Sequence, residues 1–248
     1  MVRYFTKDVK PPIPASKQNT GAFAAGDLLF DWKAFTLPKG GAKLIGVTAL
    51  FRSKGDATVT PNNFAVDLIF GKLGTSLGDA NGVAFVSTPQ GDILGNASIT
   101  SSNFVKAVAG SCTSIASVSG LNISLTPDDT TLTKDTEEIY YMAGVAAGAT
   151  TFVTLNKFAE SGDADAASTE EITMGGTDMD VRKHFLPEDT VHIGTSVGAT
   201  AADSAIGTIS SADSATQITL TTTSTSAVVA NDLLYNINPI KFILHFER

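Results

Sequence analysis

The sequence is poor in the residues that most often build chemistry. Its one cysteine, Cys112, excludes an intramolecular disulfide and any multi-cysteine zinc site. Cys112 lies in Gly-Ser-Cys-Thr-Ser-Ile, which reads as a strand, and so as a buried, inert thiol. Three histidines, His184, His192 and His245, are too few and too scattered to define a metal site. One tryptophan and four tyrosines are few for the aromatic clefts that grip sugars. Lys and Arg number 17 against 25 Asp and Glu, a net charge of −8. Nucleic-acid binding is therefore not expected, because phosphate contacts need clustered cations. No run approaches the ~20 apolar residues of a membrane span, and residues 1–30 lack an apolar signal core. No membrane partner is expected.

What fills the chain is Ser, Thr, Ala and Gly. Charged residues are only 17%, below a typical ~25%. That composition suits strands and tight turns rather than long surface helices. The 248 residues are enough for a large core without a metal or disulfide.

Residues 1–20 carry four cations (Arg3, Lys7, Lys10, Lys17) against Asp8 alone, a basic segment on an acidic body. They also contain Pro11-Pro12-Ile13-Pro14, which fixes φ and removes amide donors. The segment reads as an extended arm. A strand-rich body follows from residue 21 to 158. Lys43–Arg52 and Asn63–Phe70 read as strands, the latter with Phe64, Val66, Leu68 and Phe70 on one face. Phe104–Val108, Cys112–Val118, Leu121–Leu125, Ile139–Val145 and Thr151–Phe158 are further strands. Ile240–Phe246 is the clearest: Ile240, Phe242, Leu244 and Phe246 share one face, and Lys241, Ile243 and His245 the other. Between Phe158 and Ile240 the character changes. Residues 159–184 read as an acidic linker, and 185–238 as a small β-module of short apolar strands and polar turns. The expected fold is all-β: a jelly-roll-like β-sandwich of residues 21–158 plus 239–248, carrying an inserted small β-barrel and an N-terminal arm.

The sharpest catalytic pattern is Gly194-Thr195-Ser196-Val197-Gly198, a formal G-x-S-x-G. In hydrolases it sits on a strand-to-helix turn. Here a strand expected at Ala205–Ile209 follows almost at once, so the pattern reads as a glycine-flanked turn. Asp163, Asp165, Glu170, Glu171, Asp178 and Asp180 offer oxygens of the kind Ca²⁺ takes. They lack the spacing of a known calcium loop and read as a solvated acidic surface. The glycine-rich stretch 71–82 lacks the order of a phosphate cradle. Trp32, with Phe30 and Phe35, reads as core packing. No catalytic residue, metal or cofactor is expected.

The chain resembles virion structural proteins of marine tailed phages, cyanophages especially. The resemblance rests on Arg3-Tyr4-Phe5-Thr6, Pro11–Pro14, Asp27–Phe30, Asp67–Phe70 and the module at 187–235. It implies a capsid decoration or cement protein, located in the virion after assembly in the host cytoplasm. The implied partners are the major capsid protein and copies of this chain in a homo-oligomer, for example a trimer. On this reading Arg3, Tyr4, Phe5, Lys7, Lys10, Pro11, Pro12, Ile13 and Pro14 contact a neighbouring subunit, and deleting residues 2–17 leaves the fold intact. The alternative is a phage tail or fibre module that binds a receptor or glycan.

Overall fold

The computed structural model of the protein describes residues 2–13, 15–18, 23–53, 62–72, 74, 77, 92–106, 113–127, 131, 133–134, 136–149, 170–174, 180–194, 204–226, 228 and 233–248. In chain order the elements are β1 (Tyr4–Val9), a single helical turn α1 (Ala15–Gln18), β2 (Leu28–Pro38), β3 (Ala42–Phe51), β4 (Val66–Gly71), β5 (Ile93–Ile99), β6 (Phe104–Lys106), β7 (Ser114–Leu125), β8 (Thr133–Lys134) and β9 (Glu137–Ala146). Then come β10 (Glu171–Thr173), β11 (Thr190–Gly194), β12 (Ser204–Ala212), β13 (Gln217–Leu220), β14 (Leu233–Asn236) and β15 (Ile240–Glu247).

Eight of these strands make the sandwich. β1 pairs with β15, β2 with β9, β3 with β7 and β4 with β5, every pair antiparallel. These are the rungs of one long ribbon folded back on itself between β4 and β5. β15 also pairs with β3, and β9 with β4, which rolls the ribbon into two sheets. Their orders are β1-β15-β3-β7, with β6 at the edge, and β2-β9-β4-β5. That wrapped-ribbon order is a jelly roll.

Period-two alternation aims the apolar faces inward. In β15 the residues Ile240, Phe242, Leu244 and Phe246 are buried, while Lys241, Ile243, His245 and Glu247 are partly exposed. Leu44, Val47, Ala49 and Phe51 of β3 and Val66, Leu68 and Phe70 of β4 meet them in one core. Phe51 sits at its centre, with ring centroids 4.8 Å from Phe64, 4.9 Å from Phe104 and 6.4 Å from Phe242. The turn from β2 to β3 is fixed by charge. Gly40 and Gly41 have φ of 95° and 67°, and their amides donate to the buried Glu138 carboxylate at 2.9 and 3.0 Å. Tyr140 also donates to it, at 3.2 Å. A Cβ on Gly41 would collide with the Leu125 carbonyl, and an L-residue resists that backbone conformation. Gly41→Ala is expected to cost roughly 2–4 kcal/mol, read from urea denaturation, as left-handed strain adds to overpacking.

The second unit is a sheet ordered β10-β13-β12-β11-β14. It has its own core of Ile172, Met174, Val181, Phe185, Val191, Ile193, Ile206, Ile209, Ile218, Leu220, Val228 and Leu234. It enters the chain between β9 and β15, the seventh and eighth strands of the jelly roll.

Four expectations change. The N-terminal segment is not an arm: Tyr4–Val9 is the first strand of the sandwich, in register with β15 from Tyr4↔Glu247 to Val9↔Phe242. The acidic linker is not all linker, because Ile172, Met174 and Val181 lie in the module core. The module is an open sheet among the described residues, with β10 and β14 at its edges, rather than a barrel. The two strands expected at 112–118 and 121–125 are one, β7, which passes through Gly120 at φ 74°. β5 had no clear sequence signal, since only Ala97 and Ile99 of Ile-Leu-Gly-Asn-Ala-Ser-Ile are buried. Cys112 and Thr151–Phe158 lie outside the described residues.

Candidate interaction face and the seam beside it

The outer face of the β1-β15-β3-β7-β6 sheet is written by the residues that alternation turns away from the core. Cross-strand register arranges them in rows. One row is Val105, Ile115, Leu50 and Lys241. The next is Ser117, Thr48, Ile243 and Asp8. His245 and Thr6 form a third, and Ser124, Lys43, Glu247 and Tyr4 a fourth. Thr48 Oγ1 lies 3.2 Å from Ser117 Oγ and 3.0 Å from His245 Nε2. Lys241 pairs with Asp8 at 2.5 Å, and Lys43 with Glu247 at 2.9 Å. These exposed pairs add little stability. They do leave the face with two cations and two anions on a chain of net charge −8. Val105 and Tyr4 are each 70% exposed at opposite edges of it.

The second feature is the seam where module meets sandwich. Asp189 is fully buried at its centre. Its Oδ2 accepts from Leu186 N at 3.0 Å, Asn236 Nδ2 at 2.8 Å and Arg52 Nε at 3.4 Å. Lys10 Nζ stands 3.9 Å from Oδ1 and 3.2 Å from Glu188. Arg52 directly follows β3 and also donates its amide to Pro239 O at 2.8 Å. The buried imidazole of His184 faces Ser53 O across 3.1 Å, and Ser53 Oγ donates to Lys183 O at 3.3 Å. Because a carbonyl only accepts, Nδ1 of His184 carries the hydrogen. Burial, with Arg52 adding to it, pushes the His184 imidazole down to about 4.

The predicted partner-binding residues are mostly turned inward. Phe5 stacks on Phe246 at 5.3 Å, and Lys7 donates to Thr36 at 3.1 Å. Lys10 reaches the module, Pro11 is buried, and Ile13 is buried with its amide donating to Ile237 O at 2.7 Å. Gln18 Nε2 joins Ile13 O and Asn236 O, at 2.7 and 3.0 Å. Arg3, Tyr4 and Pro12 are exposed, and Arg3 exchanges backbone hydrogen bonds with Arg248. Pro14 lies outside the described residues. The segment therefore stitches the two units together.

Residues 195–198 of the G-x-S-x-G pattern also lie outside the described residues. His245 belongs to the sandwich face, bonded to Thr48. Asp213 accepts from Thr219 and Ser211, whose hydroxyls hold its carboxyl below the usual range. Asp180 caps the 3-10 turn Val181–Lys183 and pairs with Arg182 at 2.8 Å, which lowers its carboxyl in turn. Glu171 accepts from Gln217. Asp163, Asp165 and Asp178 lie outside the described residues, among which no group of three metal-binding side chains occurs. Trp32 is half-buried on a satellite cluster with Leu28, Leu77 and Ala143. No described helix is long and apolar enough to cross a membrane.

No protein-family model matches the chain, and no curated protein matches it. Among solved structures, a chain from the atomic structure of Sulfolobus Turreted Icosahedral Virus is similar at 10% identity. The match covers 99% of this chain and 90% of that one, with a TM-score of 0.20, too slight a likeness to bear on fold or function.

Proposed function

We propose that the protein is a non-enzymatic structural component of a virus particle, a decoration protein that binds and stabilises a phage capsid shell. The observation that carries this reading is a jelly roll with one sheet face open and charge-balanced. Jelly rolls serve both viral capsids and lectins, so the fold alone does not choose. The character of the open face favours the shell. It is a sheet of hydroxyls and aliphatics rather than a cleft lined with aromatics. Five strands ~4.8 Å apart and about eight residues long make roughly 500 Å². That is below the ~800 Å² per partner of a stable interface. A face of this size holds best where many copies engage one shell, or where copies of the chain also contact one another. The partners on this reading are the major capsid protein and further copies of the chain.

Paired substitution of Thr48→Arg and Ile115→Arg tests it. Both side chains lie on the outer face, so the fold should survive. Co-sedimentation with phage shells lacking the protein should then weaken at least tenfold, about 1.4 kcal/mol. Undiminished binding would remove the face from the interaction. Binding to glycan arrays, with no shell affinity, would favour the tail or fibre reading instead.

A further inference from the structure

The seam carries more than a fastening. The module and the jelly roll have separate cores, so one can move without dissolving the other. What joins them among the described residues is largely polar and buried. From the sandwich come Arg52 and Ser53, from the N-terminal segment Lys10, Ile13 and Gln18. From the module come Lys183, His184, Asp189 and Asn236. Ala15, Tyr235 and Ile237 add one small apolar cluster.

We infer that this seam is an acid-operated latch: proton uptake at His184 releases the module from the jelly roll while each keeps its own core. With Nδ1–H already committed to Ser53 O, the incoming proton goes to Nε2. The imidazolium then stands as a second buried cation beside Arg52. The groups facing it matter for the balance. Arg52 opposes the new charge. Asp189 is the one buried anion in the cluster, and it is already engaged by Arg52, Asn236 and the Leu186 amide, with Lys10 close by. Glu188 is exposed and paired with Lys10. Arg182 and Lys183, on the turn that leads into His184, add positive charge, and Asp180 is paired with Arg182. Opening hydrates the imidazolium and separates it from Arg52.

The sign follows from linkage. In the closed state His184 titrates at about 4, and in an opened, hydrated state near its ordinary 6.5. Closed protein thus binds fewer protons, and closure weakens as pH falls below 6.5. Between pH 7 and pH 5 the open-to-closed ratio should rise about 20-fold.

Hydrogen exchange on the full chain at pH 7 and pH 5, corrected for intrinsic rates, reads this directly. The Ile13 amide, which donates across the seam to Ile237 O, should lose about 20-fold in protection, while those of β9, β13 and β15, inside the two units, keep theirs. The His184→Asn variant retains a donor toward Ser53 O but does not titrate, and its seam should show no such change. Equal protection at both pH values overturns the latch, as does an acid response that persists in H184N. If H184N is already loose at pH 7, the wild-type His184 imidazole resonance decides. A midpoint well below 6.5 supports the latch, and an ordinary midpoint overturns it.

Discussion

Removing residues 2–13 should leave a chain without a cooperative unfolding transition. The segment supplies strand β1, six residues in register with β15. Its Val9 and Ile13 are 3% and 0% exposed, and Phe5 stacks on Phe246. Each buried aliphatic contributes about 1.5–3 kcal/mol. Loss of both, of the Phe5 contact and of the β1 ladder removes at least ~5 kcal/mol. A domain's whole stability is about 5–15 kcal/mol. The deletion also exposes the backbone of β15 as a new hydrophobic-faced edge, which invites aggregation. A milder variant isolates the anchor: Ile13→Ala should cost about 2–5 kcal/mol in urea denaturation. A truncated chain that unfolds with an unchanged midpoint would restore the free-arm reading, with shell contact as its remaining purpose.

Replacing Asp189 by Ala should cost about 3–5 kcal/mol, because it strands a buried cation. Arg52 is 8% exposed at its side chain and would lose its partner. Asn236 Nδ2 and Leu186 N would lose an acceptor as well. Asp189→Asn keeps an acceptor oxygen and should cost less. Replacing both members of the ion pair, Arg52→Met with Asp189→Leu, should recover part of the loss, since the apolar pair needs no desolvation. Recovery stays partial because the Leu186 amide and one hydrogen of the Asn236 amide, whose other bonds His184 O, remain unpaired. A double-mutant cycle on Arg52 and Asp189, measured by denaturation, should give a coupling of about 1–3 kcal/mol. Strict additivity would mean that the pair does not act together.

The sequence made β15 readable because alternation over eight residues leaves one face apolar, and that face is the buried one. β3 and β4 were legible on the same ground. Tyr4–Val9 was not. Its three prolines follow the strand rather than interrupt it, and its charges occupy the exposed positions or reach partners far along the chain. Lys7 bonds Thr36, and Lys10 meets Glu188. Nothing local in Glu171-Ile-Thr173 marks a strand, since one buried Ile172 suffices when β13 supplies the pairing.

The seam was the least legible part. Arg52 and Asp189 are separated by 137 positions, and no spacing rule links them. His184 stood out in the sequence only as one of three scattered histidines, yet it is buried. The sequence by itself determined what depends on near neighbours: an all-β chain, the faces of its stronger strands, its acidic balance and its turns. Only the tertiary structure decided which strands pair, that the basic N-terminus is a strand and a staple, and which charges are buried together. Local pattern reports the preference of a segment. Strand pairing and charge burial are set by whichever distant segment satisfies the exposed backbone or the stranded ion, and that choice is made when the ribbon rolls up.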